Sequence, residues 1–159
     1  MKRRAIYFPV LVALMSLFSC SKELSREGSN PNSADTFRAT IDGSPWTAES
    51  IYGLAFTGIL TVTAYRPDGT LAMSISMPEN ITPGTYTLDY SAGAYTALYL
   101  PGGTPTVLAS STGSLVILEN DMGKKHIKGN FQFQASVLTS IPASGSQITD
   151  GYFSTPYFE

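Results

Sequence analysis

The stretch "ILTVTAYRPDGTLAMSISM" at residues 59–77 decides the fold class. Within it, residues 60–64 carry an apolar side chain at every second position, the chain reads Pro-Asp-Gly at 67–69, and the alternation resumes over 71–77. A period of two is typical of a strand with one buried face, and Pro-Asp-Gly is a strong turn signal. The stretch therefore predicts a β-hairpin.

The same alternation predicts strands on both sides of this hairpin. Strands are expected at 37–41, 86–90, 95–99, 114–118, 127–137 and 147–158. Asp42-Gly43 predicts a turn after the first of them, and we expect 86–90 and 95–99 to pair as a second hairpin. Gly151 and Pro156 interrupt the last strand, which favours an edge position because proline cannot donate a ladder hydrogen bond.

About eight strands joined by Gly- and Pro-rich turns predict an all-β domain, and no stretch shows a helical apolar period over ten residues. We favour an antiparallel β-sandwich, because two sheets packed over one core need apolar residues on one face of each strand. A partly closed β-barrel is the alternative.

The composition limits the function classes. The chain has 159 residues, of which 43% are hydrophobic and only 14% charged, and its formal net charge is −2. Removal of a leader carrying Lys2, Arg3 and Arg4 leaves seven basic and twelve acidic residues, or −5. Such a domain has no basic surface for nucleic acid, so no nucleic-acid partner is expected.

The N-terminus predicts an export signal. A basic start, MKRR, precedes an apolar run from Ala5 to Phe18 that only Ser16 interrupts. About 14 residues suit the apolar region of a signal peptide, whereas a membrane-spanning helix needs roughly 20. The run ends at Cys20, the only cysteine, which therefore has no disulfide partner within the chain.

The sequence Leu17-Phe18-Ser19-Cys20 resembles the lipobox of bacterial lipoproteins, although Phe18 stands where that family usually has a small residue. The resemblance implies cleavage before Cys20, a diacylglyceryl group on its thiol and a further acyl chain, such as palmitate, on the new N-terminus. We expect a signal peptide at 1–19, a lipidated, disordered tether at 20–35 and one β domain at 36–159. The expected location is the outer membrane, with the periplasmic or surface face left open.

The chain after the tether carries a series of turn and core motifs: "FRATIDGSPWTA" at 37–48, "ITPGTYTL" at 81–88, "TGSLVILEND" at 112–121, "IKGNFQFQA" at 127–135 and "ITDGYFSTPY" at 148–157. Together they resemble a family of small uncharacterised lipoproteins of Bacteroidota. This resemblance covers nearly all of the chain after the tether. It implies a location and a fold, and it supplies no catalytic residue.

No catalytic residue, metal ligand or cofactor is predicted. His126 is the only histidine, and no second His or available Cys accompanies it in a zinc-type spacing. A glycan-active enzyme with two carboxylates is the alternative function, because the separation that such enzymes need is spatial. The candidate acids are Asp42, Glu49, Asp68, Glu79, Asp89, Glu119, Asp121 and Asp150. Most adjoin Gly, Pro or Asn, where turn chemistry explains them.

Aromatic residues are the remaining candidates for ligand binding. The candidates are Trp46, Tyr86, Tyr90, Tyr95 and Tyr99. The tyrosines have even spacings on predicted neighbouring strands, so several could share a face that stacks a sugar or a peptide. Core packing is the favoured interpretation, because tyrosine suits strands and forms cross-strand pairs. We therefore expect a non-enzymatic binding or structural lipoprotein, with a glycan or an envelope protein as candidate partner.

Overall fold

The computed structural model describes residues 35–103, 105–137 and 145–159. The predicted signal peptide, Cys20 and nearly all of the predicted tether lie outside these residues. The described strands are β1 (Thr36–Ile41), β2 (Ser44–Thr47), β3 (Ser50–Phe56), β4 (Ile59–Tyr65), β5 (Leu71–Pro78), β6 (Gly84–Thr87), β7 (Thr96–Tyr99), β8 (Leu108–Asp121), β9 (His126–Ser136) and β10 (Gly145–Phe158). None of the described residues belongs to a helix that is long and apolar enough to cross a bilayer.

Seven strands form a closed ring. They pair in the order β3, β4, β5, β7, β8, β9 and β10, and β10 returns to β3. Strands β1 and β2 extend the sheet from β10, and β6 extends it from β8. The all-β class is confirmed. The architecture is a closed barrel with added strands, whereas the sequence favoured a sandwich and left a partly closed barrel as the alternative.

The ring has two parts that meet at two short seams. One part contains β2, β1, β10, β9, β8 and β6, and the other contains β3, β4, β5 and β7. Each seam has two residue pairs: Tyr157 with Gly53 and Phe158 with Leu54, and, on the other side, β7 with β8. Buried side chains of both parts form a single core cluster, which is the feature that the sandwich prediction captured.

The hairpin at 59–77 is confirmed as β4 and β5. Its inward side chains Leu60, Val62, Met73 and Ile75 are all fully buried. Asp68 accepts hydrogen bonds from the backbone N–H of Thr70 at 2.9 Å and from its hydroxyl at 2.7 Å, which fixes the turn. The local pattern therefore positions one wall of the barrel, as expected of a strand pair with one buried face.

The predicted second hairpin is wrong. β6 pairs with β8, whereas β7 pairs with β5 and β8, and Tyr90–Ala92 between them form a short 3₁₀ turn. Asp89 caps that turn by accepting from the N–H of Ser91 at 2.8 Å, and Gly93 ends it at a φ of 80°. The cap therefore carries the chain onward along the same edge of β8 instead of folding it back on itself.

The predicted edge position of the last strand is also wrong, because β10 pairs with β9 on one side and with β1 and β3 on the other. The N–H of Tyr157 donates to the carbonyl of Lys125, the residue just before β9, at 2.8 Å. Since successive residues of a strand face opposite neighbours, the nitrogen of Pro156 faces the other side. On that side β10 pairs with β1 only as far as Ser154 and with β3 only from Tyr157 onward. Pro156 lies in the gap between the two partners, so its missing N–H removes no hydrogen bond from the sheet.

Candidate functional site

Trp46 and Tyr99, two of the aromatic candidates, pack against the protein. Tyr99 is in the core with 8% of its surface exposed. Trp46 is half-buried on β2, and its ring meets that of Phe37 edge-on at 6.1 Å. These two positions agree with the packing interpretation of the sequence.

Tyr86 and Tyr95 form a pair with ring centroids 4.6 Å apart. Tyr86 also donates from its hydroxyl to the carbonyl of Thr82 at 2.8 Å, so its ring is held from both ends. Tyr90 is 42% exposed in the neighbouring 3₁₀ turn. The structure therefore brings two of the five candidates into contact and leaves Tyr90 as the most accessible ring among them.

Three of the candidate acids cap turns, because Asp68, Asp89 and Asp121 each accept from a backbone N–H two or three residues later at 2.8 to 2.9 Å. Asp42 accepts instead from the backbone N–H of Gln147 in β10 at 2.7 Å. Hydrogen bonds to side-chain and backbone groups of Thr70, Ser91 and Lys124 lower the pKa of Asp68, Asp89 and Asp121, respectively. Their placement follows the turn chemistry that the sequence suggested. Within the described ranges no three acidic, His or Cys side chains come together as metal ligands.

His126 lies beside a buried serine. Its Nε2 is 3.3 Å from the Oγ of Ser154, and Ser154 is only 3% exposed. Burial and the nearby Lys128 lower the pKa of His126, while Glu119, Asp35 and Asp121 raise it to a smaller extent. A serine covered in this way cannot meet a substrate from solvent, so the pair is a packing contact in this structure.

A polar groove on the outer face of the barrel brings together side chains from four strands. Its upper part has a volume of about 350 Å³ and its lower part about 340 Å³, and both parts share Gln132. The side chains that give the upper part its chemistry are Arg38, Ser114, Asn130, Gln132, Asp150 and Tyr152. Those of the lower part include Thr112, Gln134, Gln147 and Thr149. We call this surface the amide groove.

Strand register explains how the amide groove forms. Arg38 of β1 stands opposite Tyr152 of β10, Tyr152 opposite Asn130 of β9, and Asn130 opposite Val116 of β8. Alternation along β9 turns Gln132 and Gln134 outward while the phenylalanines between and before them point into the core. The groove is therefore formed by residues side by side on neighbouring strands, Arg38, Tyr152 and Asn130, and by the outward residues of β9 that follow Asn130.

A bulge in β10 places Asp150, the one carboxylate among the described residues that line the amide groove. The pairing of β10 with β9 shifts between Ile148 and Gly151, and Asp150 within the shift has a φ of 50°. The next residue is a glycine of necessity, because a Cβ on Gly151 would overlap the ring of Phe131. The bulge turns Asp150 toward the groove, where Thr149 donates to its carboxylate at 3.2 Å.

The polar groups of the amide groove are arranged for hydrogen bonding. The guanidinium of Arg38 lies over the ring of Tyr152, 5.3 Å from its centroid, which holds the charge in place. Among the described residues, none forms a hydrogen bond with the side chains of Asn130 or Gln132. Each amide offers a carbonyl acceptor and two N–H donors. The groove thus presents donors and acceptors side by side.

Of the upper-groove residues, sequence reasoning placed only Asp150 in a candidate site, as one of eight possible carboxylates. The available signal was the run of outward amides on β9, since a solvated strand face more commonly carries charged residues or threonine. Arg38 and Tyr152 are more than 100 positions apart in the sequence, so only the pairing of β1 with β10 reveals their contact.

The fold and the amide groove define a class: a small closed β-barrel that exposes a polar, hydrogen-bonding surface on its longest strands. The chain belongs to the family described as a domain of unknown function (DUF6252), which matches residues 33–155. Comparison with curated proteins and with solved structures gave no match. The family membership agrees with the resemblance to an uncharacterised family.

Proposed function

We propose that the protein is an outer-membrane lipoprotein of the Bacteroidota type whose barrel binds a saccharide in the amide groove without turning it over. The observation that carries the binding part is the set of neighbouring amides Asn130, Gln132, Gln134 and Gln147 on one outer face. Each sugar hydroxyl both donates and accepts a hydrogen bond, and side-chain amides match that requirement with two donors and an acceptor.

The charged groups of the amide groove support the same ligand class. Asp150 accepts from hydroxyl groups, and Arg38 donates while Tyr152 holds it in position. One positive and one negative charge leave this surface without a strong field of either sign. A neutral, hydroxyl-rich ligand therefore fits the groove better than a phosphate or a polyanion, which would call for several basic side chains.

The number of carboxylates in the groove favours binding without hydrolysis. Glycosidases of the two-carboxylate type need a second acid about 5 to 10 Å from the first. Asp150 is the one carboxylate among the described groove residues. Glu79 and Glu159 are near each other elsewhere, but both contact Lys125, which neutralises charge there. A paired-acid enzyme remains the second outcome that the experiment below detects.

The anchoring part of the proposal has its support in the sequence. The basic start, the apolar run of signal-peptide length and Cys20 at the end of Leu17–Cys20 all point to cleavage and acylation at one residue. Two or more acyl chains hold a protein stably on a bilayer. Expression of the full-length protein and its Cys20→Ala variant in a Gram-negative host, followed by mass spectrometry and detergent partitioning, tests this part. An unmodified thiol with equal partitioning of both proteins would contradict it.

A glycan array tests the binding part. The chain beginning at Ser21, which lacks leader and anchor, is applied with its Asn130→Ala and Gln132→Ala variants. The matched control is Asn80→Ala, an exposed amide outside the amide groove. We expect retention on a subset of glycans that both groove variants lose and the control keeps. Incubating each retained glycan with the protein, with product analysis by mass spectrometry, then separates binding from cleavage.

A further inference from the structure

The β3–β4 hairpin carries an apolar surface on its outer face. Tyr52, Leu54 and Phe56 of β3 point out of the barrel and are 47%, 43% and 72% exposed. Ile59, the first residue of β4, is 53% exposed and stands opposite Phe56. A two-residue turn at Thr57 and Gly58, both at positive φ, places Phe56 and Ile59 at the tip of the hairpin. Tight turns are usually polar, so this tip is exceptional.

The end of β10 completes this surface. Gly53 allows it, because a Cβ there would come within 2.7 Å of the carbonyl oxygen of Pro156. The close approach lets Phe158 pair with Leu54 and stack on the ring of Tyr52 at 5.7 Å, and Phe158 is 46% exposed. We call Tyr52, Leu54, Phe56, Ile59 and Phe158 the apolar tip.

The apolar tip is uncharged over a long stretch of chain. From Ser50 to Tyr65 the sequence contains no Asp, Glu, Lys or Arg. The outward neighbours of the tip on β4 are Thr61 and Thr63, whose hydroxyls bond to Ser76 and to the carbonyl of Tyr52. The charged groups at its border, Glu159 beside Phe158 and Glu79 beside the turn at Gly58, are both paired with Lys125. The hairpin itself, with no charged side chain and with its nearest hydroxyls already bonded, enters a low-dielectric medium at little electrostatic cost.

Strand β1 begins at the end of the barrel nearer to the apolar tip. β1 is antiparallel to β10, and Thr36 stands opposite Ser154. Moving backward from Thr36 therefore means moving along β10 toward Phe158, about 13 Å away at the rise of a strand. Asp35 borders the same small cleft as Ser50 and Ile51 at the start of β3. Cys20 to Ala34 contribute 15 residues, which extend to about 50 Å at most.

We propose that the apolar tip docks into the surface of the bilayer that holds the anchor at Cys20. The inference rests on the proposed lipid anchor, which confines the barrel within a few nanometres of the lipid. Under that confinement even a weak contact is occupied, because tethering raises the effective concentration of the two surfaces. Tyrosine and phenylalanine are suited to the lipid–water boundary.

A second copy of the chain fits the apolar tip less well than lipid. Taking about 200 Å² for a fully exposed large side chain, the five residues expose roughly 500 Å². Stable protein–protein interfaces bury about 800 Å² on each partner. The five side chains of the tip carry no charge for partner selection, and the charged groups at its border, Glu79, Lys125 and Glu159, are already paired, whereas lipid requires no charge.

The test places a fluorescent probe at the tip. Full-length protein with Phe56→Cys is produced in a Gram-negative host, where acylation occupies the thiol of Cys20, and is labelled with an environment-sensitive dye. After reconstitution in phosphatidylcholine vesicles, we expect blue-shifted emission, protection from aqueous iodide and quenching by brominated lipid. Pro67→Cys, in the exposed turn at the other end of β4, is the matched control and stays accessible to iodide. Equal iodide quenching at both positions would overturn the proposal.

Two further measurements separate this proposal from the others. The chain beginning at Ser21, labelled at residue 56, has no anchor, and we expect vesicle partitioning at least tenfold weaker than that of the acylated protein but still detectable and independent of salt. If mass spectrometry finds no acyl group on the full-length protein but this partitioning is retained, the result contradicts the proposed anchor and leaves apolar docking standing. Steep salt dependence would overturn apolar docking in favour of the lysines at 124 and 125. A concentration-dependent dimer in sedimentation, abolished by Phe56→Ser, would assign the tip to a second copy instead.

Discussion

Tyr157 donates from its phenol to the Oδ1 of Asn120 over 3.3 Å, which joins the end of β10 to the end of β8. The Nδ2 of the same Asn120 donates to the carbonyls of Glu79 and Ile81, each at 2.9 Å. One amide thus ties three separate parts of the chain at the end of the barrel that carries the apolar tip.

Asn120→Ala removes all three hydrogen bonds and leaves two carbonyls and a phenol without their partner. We expect the free energy of unfolding to fall by about 2 kcal/mol, because unpaired polar groups in partly buried positions cost about 1 to 3 kcal/mol. Asn130→Ala on the solvent-exposed face of β9 is the control and should change stability by less than about 0.5 kcal/mol. Urea unfolding of both variants measures the difference, and equal midpoints would refute the role of Asn120.

Gly53→Ala tests the seam between β3 and β10. The added Cβ would lie 2.7 Å from the carbonyl oxygen of Pro156 and from the Cβ of Tyr157. We expect destabilisation of about 1 to 3 kcal/mol, the usual cost of overpacking. Gly102→Ala is the matched control, since its nearest neighbour is the Arg66 side chain at 3.5 Å. Thermal unfolding that gives both variants the same midpoint would show that the seam yields without cost.

Arg38→Lys tests the geometry of the amide groove. Lysine keeps the positive charge but loses the planar group that lies over Tyr152 and its forked donors. On any glycan retained by the parent protein, we expect about a tenfold loss of affinity with little change in stability. Isothermal titration gives the affinity and urea unfolding the stability. Unchanged binding would place the ligand away from Arg38.

The stability of the protein should fall as the pH drops below about 6.5. Burial, followed by Lys128, lowers the pKa of His126 from its ordinary value of 6.5 in the folded state. The unfolded chain therefore binds a proton at a higher pH than the folded chain does, so acidification favours unfolding through this window. Two carboxylates near His126 are shifted in opposite directions: burial raises the pKa of Asp35 above its ordinary value of 3.8, and the hydrogen bond from Lys128 lowers the pKa of Glu119 below its ordinary value of 4.5.

His126→Gln separates this contribution from those of the carboxylates. Melting temperatures at pH 7.5 and pH 5.5 should differ for the parent protein and agree for the variant. A variant that keeps the full difference would assign the pH dependence to another group.

Local patterns predicted the parts of the fold that are built from neighbours in sequence. The β4–β5 hairpin was readable because Leu60, Val62 and Met73 alternate around a strong turn signal. β3 was not recognised, because it carries Gly53 and Ala55 inside and Tyr52, Leu54 and Phe56 outside. Apolar side chains on both faces remove the alternation on which the prediction depends.

Closure of the ring and assembly of the amide groove depend on pairs that are distant in sequence. β10 pairs with β1 and β3, and no local pattern specifies a partner about 100 residues away. Asp150 was considered as an acid or a turn residue, but its direction depends on a bulge and on the space that Gly151 leaves for Phe131. The tyrosine candidates share an even spacing along their predicted strands, and such a spacing does not tell whether the shared face is in the core or on the surface.

The seam of Tyr157 with Gly53 and Phe158 with Leu54 also sets the order of events when the barrel forms. A ribosome must add residue 158 before the ring can close, although its partner strand was made about 100 residues earlier. Until then the edge of β3 that pairs with β10 has no partner in the ring, so closure of the barrel waits for the last strand.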